Sequence, residues 1–266
     1  MNPNALVITA PGINCDLELA QAFETAGARV ESIPLVRLSR DPGLIDRFEL
    51  IGLPGGFSYG DDVAAGRVLA TLIRRSIYPA LCAAIERGCP MIAPCNGFQV
   101  AVQVGLLPGP ADGEGWSTEP PTPTVSLATN QTALFTDCWT PMEVDPATHS
   151  VWTRGIDFSG EAGMLPSAHG EGRFAADEEL LDALEASGRV VLRYAEGSNF
   201  NGSLRRIAGI CDASGLVLGL MPHPERFTRW TQHPRWTRMD AATREQDPPG
   251  LAMFRNAVRH ASGVPV

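Results

Sequence analysis

The sequence contains no apolar run of about 18 residues, the length a membrane-spanning helix needs. Its first residues, Met1-Asn2-Pro3-Asn4, carry neither the basic segment nor the long apolar stretch of an export signal, so a cytoplasmic chain is expected. Positive charge is short. Charged residues make up 19% of the 266 and the net charge is −9, which argues against a general nucleic-acid or anionic-membrane surface. The six cysteines, at 15, 82, 89, 95, 138 and 211, show no metal-ligand spacing, and without an export signal they read as reduced thiols rather than a disulfide framework. The glycosylation sequons at Asn130 and Asn201 carry no weight in a cytoplasmic chain. No phosphate loop of the G-x-x-x-x-G-K-[ST] type occurs. The length allows one large α/β domain or two small ones, with a sizeable core.

What the chain does contain is organised around Pro90-Met91-Ile92-Ala93-Pro94-Cys95-Asn96-Gly97-Phe98-Gln99-Val100. The apolar run up to Pro94 reads as a buried strand, and Phe98, Val100, Ala101 and Val104 suit a helix. A thiol at the crest of a strand-to-helix turn points out of the sheet, as a nucleophile does in an elbow. The partial positive charge of the first helical amides suits an anionic sulfur. Gly97 leaves room for the turn and for a substrate, and Gln99, one helical turn beyond Cys95, can face the same cleft. On this stretch alone a buried structural cysteine reads the same way.

The rest of the chain supplies a sheet. Ala5 to Ala10, Arg29 to Leu35 and Glu49 to Leu53 read as strands. Between the first two lies a helix capped by Asp16, with an apolar stripe of Leu17, Ala20, Phe23 and Ala26 and a stop at Gly27. Helices are also expected through Val63, Leu69, Leu72 and Ile73, over Tyr78 to Arg87 and over Asp177 to Ser187. This alternation predicts an open, mostly parallel sheet flanked by helices, with functional loops at the carboxyl ends of its strands. The glycine pair Gly55-Gly56 therefore shares an edge with Cys95. Asp61 and Asp62, without a supporting third ligand, read as a solvated loop or helix cap. Residues 105–124, dense in proline and glycine, read as a surface excursion. Thr124 to Ala128, Ala133 to Val144 and Val151 to Thr153 suggest antiparallel additions to the main sheet, and Ala168 to Arg173 looks like an exposed loop. Val190 to Tyr194 is a strand, and Ile207 to Cys211 with Leu216 to Met221 form a hairpin around residues 212–215.

That hairpin leads into Met221-Pro222-His223-Pro224-Glu225-Arg226. Proline on each side of His223 biases it toward extended geometry, in which His223 and Glu225 project to one side and touch. A carboxylate on one imidazole nitrogen fixes the tautomer and leaves the other as a base for a cysteine nucleophile.

Pro54-Gly55-Gly56-Phe57, Cys95-Asn96-Gly97-Phe98-Gln99 and Met221-Pro222-His223-Pro224-Glu225-Arg226 together resemble the marks of class I, triad-type glutamine amidotransferases. Four further stretches resemble one branch of that family, the glutaminase subunits serving phosphoribosylformylglycinamidine synthase in de novo purine synthesis. They are Pro11 to Asp16, Gly55 to Asp62, His169 to Phe174 and Asn201-Gly202-Ser203. The likeness runs from about residue 5 to 260. Two departures stand out: Ala93-Pro94 where the family usually has Gly-Ile, and Phe200 where it usually has proline. The resemblance implies a flavodoxin-like class I glutamine amidotransferase fold, a single domain over 1–266 with a surface insertion near 105–124 and a C-terminal extension at 226–266. It implies Cys95, His223 and Glu225 as the triad, with the amides of Gly56 and Asn96 as the oxyanion hole. Gly55 would shape the turn and Gln99 would help hold the substrate glutamine. No cofactor is implied in this chain. ATP and magnesium would serve a partner synthetase subunit, which turns formylglycinamide ribonucleotide into the amidine with the ammonia released here. A small third subunit would help join the two, and no nucleic acid or membrane partner is implied.

Two other readings are a stand-alone cysteine hydrolase of the same α/β class and a non-enzymatic regulatory module that kept the fold. The first predicts amide hydrolysis without a synthetase. The second predicts a lost triad member, and none is lost. Residues 226–247 hold five arginines with Trp230 and Trp236 among them, a composition that suits a docking surface for the synthetase. A loop whose tryptophans fold back on the chain is the alternative. The terminal helix is expected at Gly250 to Ala261.

Overall fold

Strands in which almost every residue is buried stand at the middle of a nine-stranded sheet, because helices cover both of its faces there. The computed structural model describes residues 2–265. Its strands are β1 (Asn4–Thr9), β2 (Arg29–Pro34), β3 (Leu50–Gly52), β4 (Met91–Pro94), β5 (Ser126–Thr129), β6 (Thr136–Val144), β7 (Met164–His169), β8 (Glu171–Ala175), β9 (Val190–Tyr194), β10 (Ile207–Cys211) and β11 (Val217–Leu220). The large sheet runs β2-β1-β3-β4-β11-β10-β9-β6-β7. The five strands from β2 to β11 are mutually parallel, and β10, β9, β6 and β7 continue the sheet by antiparallel pairing. The expected architecture, mostly parallel with antiparallel additions, is the one observed. Chain order reverses direction between β1 and β3, and in doubly wound sheets ligands lie outside the carboxyl ends of the strands at such a point.

The helices are α1 (Asp16–Ala26), α2 (Leu35–Arg40), α3 (Arg67–Ser76), α4 (Tyr78–Glu86), α5 (Asn96–Val104), α6 (Glu178–Ala186), α7 (Ala241–Glu245) and α8 (Pro249–Ala261). Alternation along β1 sends Leu6 and Ile8 to the face covered by α2 to α6, and Ala5 and Val7 to the face covered by α1 and α8. On the second face Phe254 of α8 meets Phe23 of α1 edge-on at 5.1 Å and Trp152 at 6.1 Å. Met253, Phe254 and Ala257 are fully buried, so the segment expected as an extension closes one layer of the core.

Several expectations shift for local reasons. Asp16 does not cap α1. Cys15 occupies the cap position without a side-chain bond, and Asp16 is the first helical residue, where its charge favours the helix N-terminus. The inward stripe is accordingly Leu19, Ala22 and Phe23, and Leu17 is 78% exposed. The helix expected from Val63 begins at Arg67, and Val63 is 90% exposed. β5 does not join the main sheet but pairs with β8 as a two-stranded ribbon. Val151 to Thr153 forms a turn, not a strand. Its Trp152 is fully buried and donates from Nε1 to the Leu216 carbonyl at 2.8 Å.

Residues 105–124 hold no helix or strand, yet arginines tie them down. Arg74 donates to the carbonyls of Pro120 and Pro121, and Arg189 to those of Pro108 and Pro110. Residues 226–247 form short turns and α7. Trp230 folds back: its indole donates to the Gln246 carbonyl at 2.7 Å and its ring meets Phe227 edge-on at 5.4 Å. Trp236 is half-buried.

Candidate active site

β4 ends at Pro94, and the backbone turns so sharply at Cys95 that this residue has φ 51° and ψ −112°. Such a conformation costs a non-glycine residue on the order of 1–3 kcal/mol and persists only where its surroundings impose it. Here the Cys95 N–H donates to the Leu220 carbonyl of β11 at 2.8 Å, and its own carbonyl accepts from Phe98 and Gln99, starting α5. The amides of Asn96 and Gly97 have no hydrogen-bond partner among the described residues, so donors are left unused beside the sulfur. Gly97 is required by packing, since a Cβ there would lie 1.9 Å from the Leu53 carbonyl oxygen. Pro94 suits its place. Leu53 N–H donates to the Ile92 carbonyl, so the position two residues on faces the space beyond the end of β3, where no strand N–H is needed.

β3 delivers the glycine pair. Gly56 has φ 138°, and a Cβ on it would meet the Asn14 nitrogen at 2.7 Å. Its N–H has no hydrogen-bond partner among the described residues. The carbonyl of Gly55 accepts from Cys15 N–H at 3.3 Å, which orients the peptide between the two glycines.

β11 delivers His223 and Glu225. Their contact comes from a 3₁₀ turn over Pro224–Arg226, not from the extended segment expected, because Pro224 starts that turn and brings residue 225 back under the ring. His223 Nδ1 and Glu225 Oε1 are 2.6 Å apart, with both side chains buried. The His223 N–H donates to the Pro166 carbonyl at 2.7 Å, tying the pair to β7. Burial pulls His223 toward the neutral form, but the Glu225 carboxylate, with Cys95 and Cys15 beside it, overrides that and holds its pKa well above 6.5. Nε2, the nitrogen left for proton transfer, has no hydrogen-bond partner among the described residues.

Cys95 and His223 line one pocket of about 260 Å³, with Gln99 and Gly56 among its walls. Gln99 and Cys95 do face the same cleft, but most of the Gln99 amide is engaged. Its Oε1 accepts from Asn96 Nδ2 at 2.8 Å, and its Nε2 donates to the Glu171 carbonyl. Asp61 is half-buried rather than solvated. It accepts from Asn96 Nδ2 and from the Gly66 amide just before α3, and burial raises its pKa.

The segment 168–173 is not an exposed loop. It comprises the end of β7 and the start of β8, and it forms a pocket wall. Cys95 Sγ lies 3.6 Å from the Ala168 carbonyl oxygen. The tautomer of His169 follows from its neighbour. Asn130 Nδ2 donates to the carbonyls of Leu134 and His169, so its Oδ1 accepts from His169 Nδ1–H at 3.1 Å. His169 Nε2 is then a buried lone pair without a partner among the described residues, and burial first, then His223, lowers the pKa to about 4. Phe200, the residue that departs from the family's proline, packs on the His169 ring at 5.2 Å. Both sequon asparagines are buried, and Asn201 donates to the Gly172 carbonyl at 2.9 Å. Cys15, Asn14 and Arg226 also line the pocket and were not expected there. Their signal was available, because the residues just after β1 and just after β11 leave the sheet on the same edge as Cys95.

A strained thiol with idle amides beside it, facing a buried imidazole–carboxylate pair, can attack an amide carbon and return a proton to the departing nitrogen. The class so defined is the α/β thiol amidotransferases. The model of the CobB/CobQ-like glutamine amidotransferase domain matches residues 2–261, and the chain belongs to that family. It is 38% identical over 269 residues to the phosphoribosylformylglycinamidine synthase subunit PurQ of Dehalococcoides mccartyi, covering 97% of this chain and 98% of that one. It is 34% identical to the PurQ subunit of Methanococcus maripaludis, with 97% of each chain covered. Among solved structures, PurLQS of Thermotoga maritima matches with a TM-score of 0.71 and 31% identity over 97% of this chain and 99% of that chain. A glutamine amidotransferase of the same organism, at 11% identity and a TM-score of 0.55, shares the fold.

Proposed function

We propose that this chain, acting as one glutamine amidotransferase domain, is the glutaminase subunit of a phosphoribosylformylglycinamidine synthase. The observation that carries the reading is that Cys95 and His223 line one pocket, with Glu225 bonded to the far nitrogen of the imidazole, in a chain that aligns over nearly its whole length with PurQ subunits. Cys95 Sγ attacks the side-chain amide carbon of glutamine. The oxyanion is met by the amides of Asn96 and Gly56, neither of which has another partner among the described residues. One lost donor in such a hole typically costs about 10²–10³ in turnover. His223, oriented by Glu225, gives the leaving nitrogen its proton, and ammonia departs. Water then releases glutamate from the thioester. Gln99 holds the Glu171 wall in register, with one N–H left for substrate.

The ammonia passes to a synthetase subunit that uses ATP and magnesium to convert formylglycinamide ribonucleotide to formylglycinamidine ribonucleotide, with a small third subunit in the assembly. The full-length likeness to PurLQS of Thermotoga maritima supports such partners. A cytoplasmic site of action fits this chemistry, and no single helix among the described residues is long and apolar enough to cross a membrane. A stand-alone hydrolase is disfavoured by the full-length match to synthase subunits.

The test is Cys95→Ala, assayed in complex with the purified synthetase. Glutamine-dependent synthesis is expected to vanish while ammonia-dependent synthesis survives. Loss of both in a complex that still assembles would overturn the assignment. Addition of the synthetase should raise the glutaminase rate of the wild-type chain. Equal rates with and without it would favour the stand-alone hydrolase.

A further inference from the structure

A second thiol stands at the catalytic imidazole, and the triad makes no use of it. Cys15 lies at the turn from β1 into α1, is 1% exposed, and lines the same pocket as Cys95 and His223. Its Sγ accepts from Arg226 Nη2 at 2.9 Å. The same arginine also lies 3.5 Å from Glu18 on the first turn of α1, so the guanidinium is held in place over the sulfur. Cys15 Sγ, a ring nitrogen of His223 and a carboxylate oxygen of Glu225 lie within 4.8 Å of one another.

The distance to Cys95 is bridged by a glycine. A Cβ placed on Gly55 would lie 3.0 Å from His223 Cε1, 3.3 Å from Cys15 Sγ and 3.4 Å from Cys95 Cβ. Both sulfur-bearing side chains therefore border one gap, with the edge of the His223 ring beside it, and residue 55 puts no side chain of its own there. The loop that carries Cys15 is tied to this spot by a bond of 3.3 Å from its N–H to the Gly55 carbonyl. Three other cysteines are placed quite differently. Burial pushes Cys82 up to about 11 and Cys89 and Cys211 up to about 12, which keeps them as inert thiols.

We propose that Cys15 is the resolving thiol for Cys95, so that hydrogen peroxide closes a reversible Cys15–Cys95 disulfide across Gly55. In the first step the Cys95 sulfur attacks one peroxide oxygen. An S–O bond forms, the O–O bond breaks, and hydroxide leaves as water with the proton lost by the thiol, passed through His223. In the second step Cys15 Sγ attacks the sulfenic sulfur, the S–S bond forms, and the second hydroxide leaves as water with the Cys15 proton. Two thiols are oxidised, one peroxide is reduced, and two waters result. A sulfenic acid without such a neighbour proceeds to the sulfinic acid, which thiol reductants do not reverse. The disulfide takes the nucleophile out of service and spares it that loss. This chemistry does not depend on which amide the pocket hydrolyses.

The experiment treats the full chain with hydrogen peroxide, blocks remaining thiols with iodoacetamide, and maps the cysteines by peptide mass spectrometry before and after dithiothreitol. The wild type should yield a peptide pair joined through Cys15 and Cys95 that dithiothreitol separates, restoring glutaminase activity to its untreated level. Cys15→Ser and Cys15→Ala, each compared with its own untreated sample, should yield no such pair. In both variants Cys95 should accumulate as sulfinic acid, with activity that dithiothreitol does not restore. Absence of the joined pair from treated, folded wild type would overturn the proposal. So would pairing of Cys95 with Cys138 instead, or recovery of the Cys95 thiol in both variants to the wild-type level. Because the mass readout needs no substrate, a failure of the glutaminase assignment would leave it unaffected.

Discussion

Replacing Glu225 with glutamine changes one charge in the site while keeping its shape, and the outcome can be worked from the buried pair. His223 Nδ1 and Glu225 Oε1 are 2.6 Å apart with essentially no solvent contact. Proton transfer from Cys95 makes the ring an imidazolium, so the carboxylate stabilises the charged form that attack produces. Two unit charges 4 Å apart interact by about 4 kcal/mol at an effective dielectric near 20, and at about 1.4 kcal/mol per decade that is on the order of a thousandfold in turnover. The glutamine NH₂ would take the place of Oε2, which is buried without a partner among the described residues, adding an unsatisfied donor worth about 1–3 kcal/mol of stability. The titration carries its own sign. In the wild type the His223 pKa is raised above 6.5, so the pair contributes stability that is fully present below that value and is lost as pH rises through the folded pKa. In Glu225→Gln the main raising cause is gone and burial prevails. The sign reverses, and stability is then lost on the acid side. The assays are glutaminase rate against pH, with the synthetase present, and urea unfolding at a series of pH values. A rate within about tenfold of wild type, together with unchanged alkaline loss of stability, would refute the reasoning.

Gly97→Ala should abolish glutaminase activity, since its methyl group would sit on the Leu53 carbonyl and displace the chain leading to Gly55-Gly56. A folded variant with wild-type turnover would contradict this. Pro94→Ile should change turnover by less than about tenfold, or about 1.4 kcal/mol, because the new N–H faces the space beyond β3. Steady-state kinetics in the complex decide it. Trp230→Ala should lower stability by about 1–3 kcal/mol, from one indole hydrogen bond and one edge-on aromatic contact. Urea unfolding measures it, and an unchanged midpoint would show the tryptophan to be idle in the free subunit.

How much of this was legible depends on how far apart in sequence the deciding partners lie. Cys95 and His223 announce themselves locally: one ends an apolar run that must be a strand, and the other is fenced by prolines that forbid a helix. The parallel half of the sheet was legible for the same reason. Phase was not, because a helix stripe is counted from its first residue, and taking Asp16 as the cap rather than as the first helical residue turns Leu17 inward, whereas in the protein it faces outward. The wall at 168–173 was illegible for a deeper reason. Its alternation of glycine with charged residues is that of a loop, and its His169 and Gly172 are buried because β7 pairs with β6 and β8 with β5, both far earlier in the chain. His169 acquires its tautomer from Asn130 and its packing from Phe200, contacts that no local pattern encodes. Cys15 illustrates both limits at once. Its position after the first strand placed it on the catalytic edge, but its neighbours there come from three other strands: Gly55 after β3, Cys95 after β4 and Arg226 after β11. A site assembled at the ends of parallel strands shows its nucleophile in one short motif, whereas the groups that modulate that nucleophile emerge only once the strand order is known.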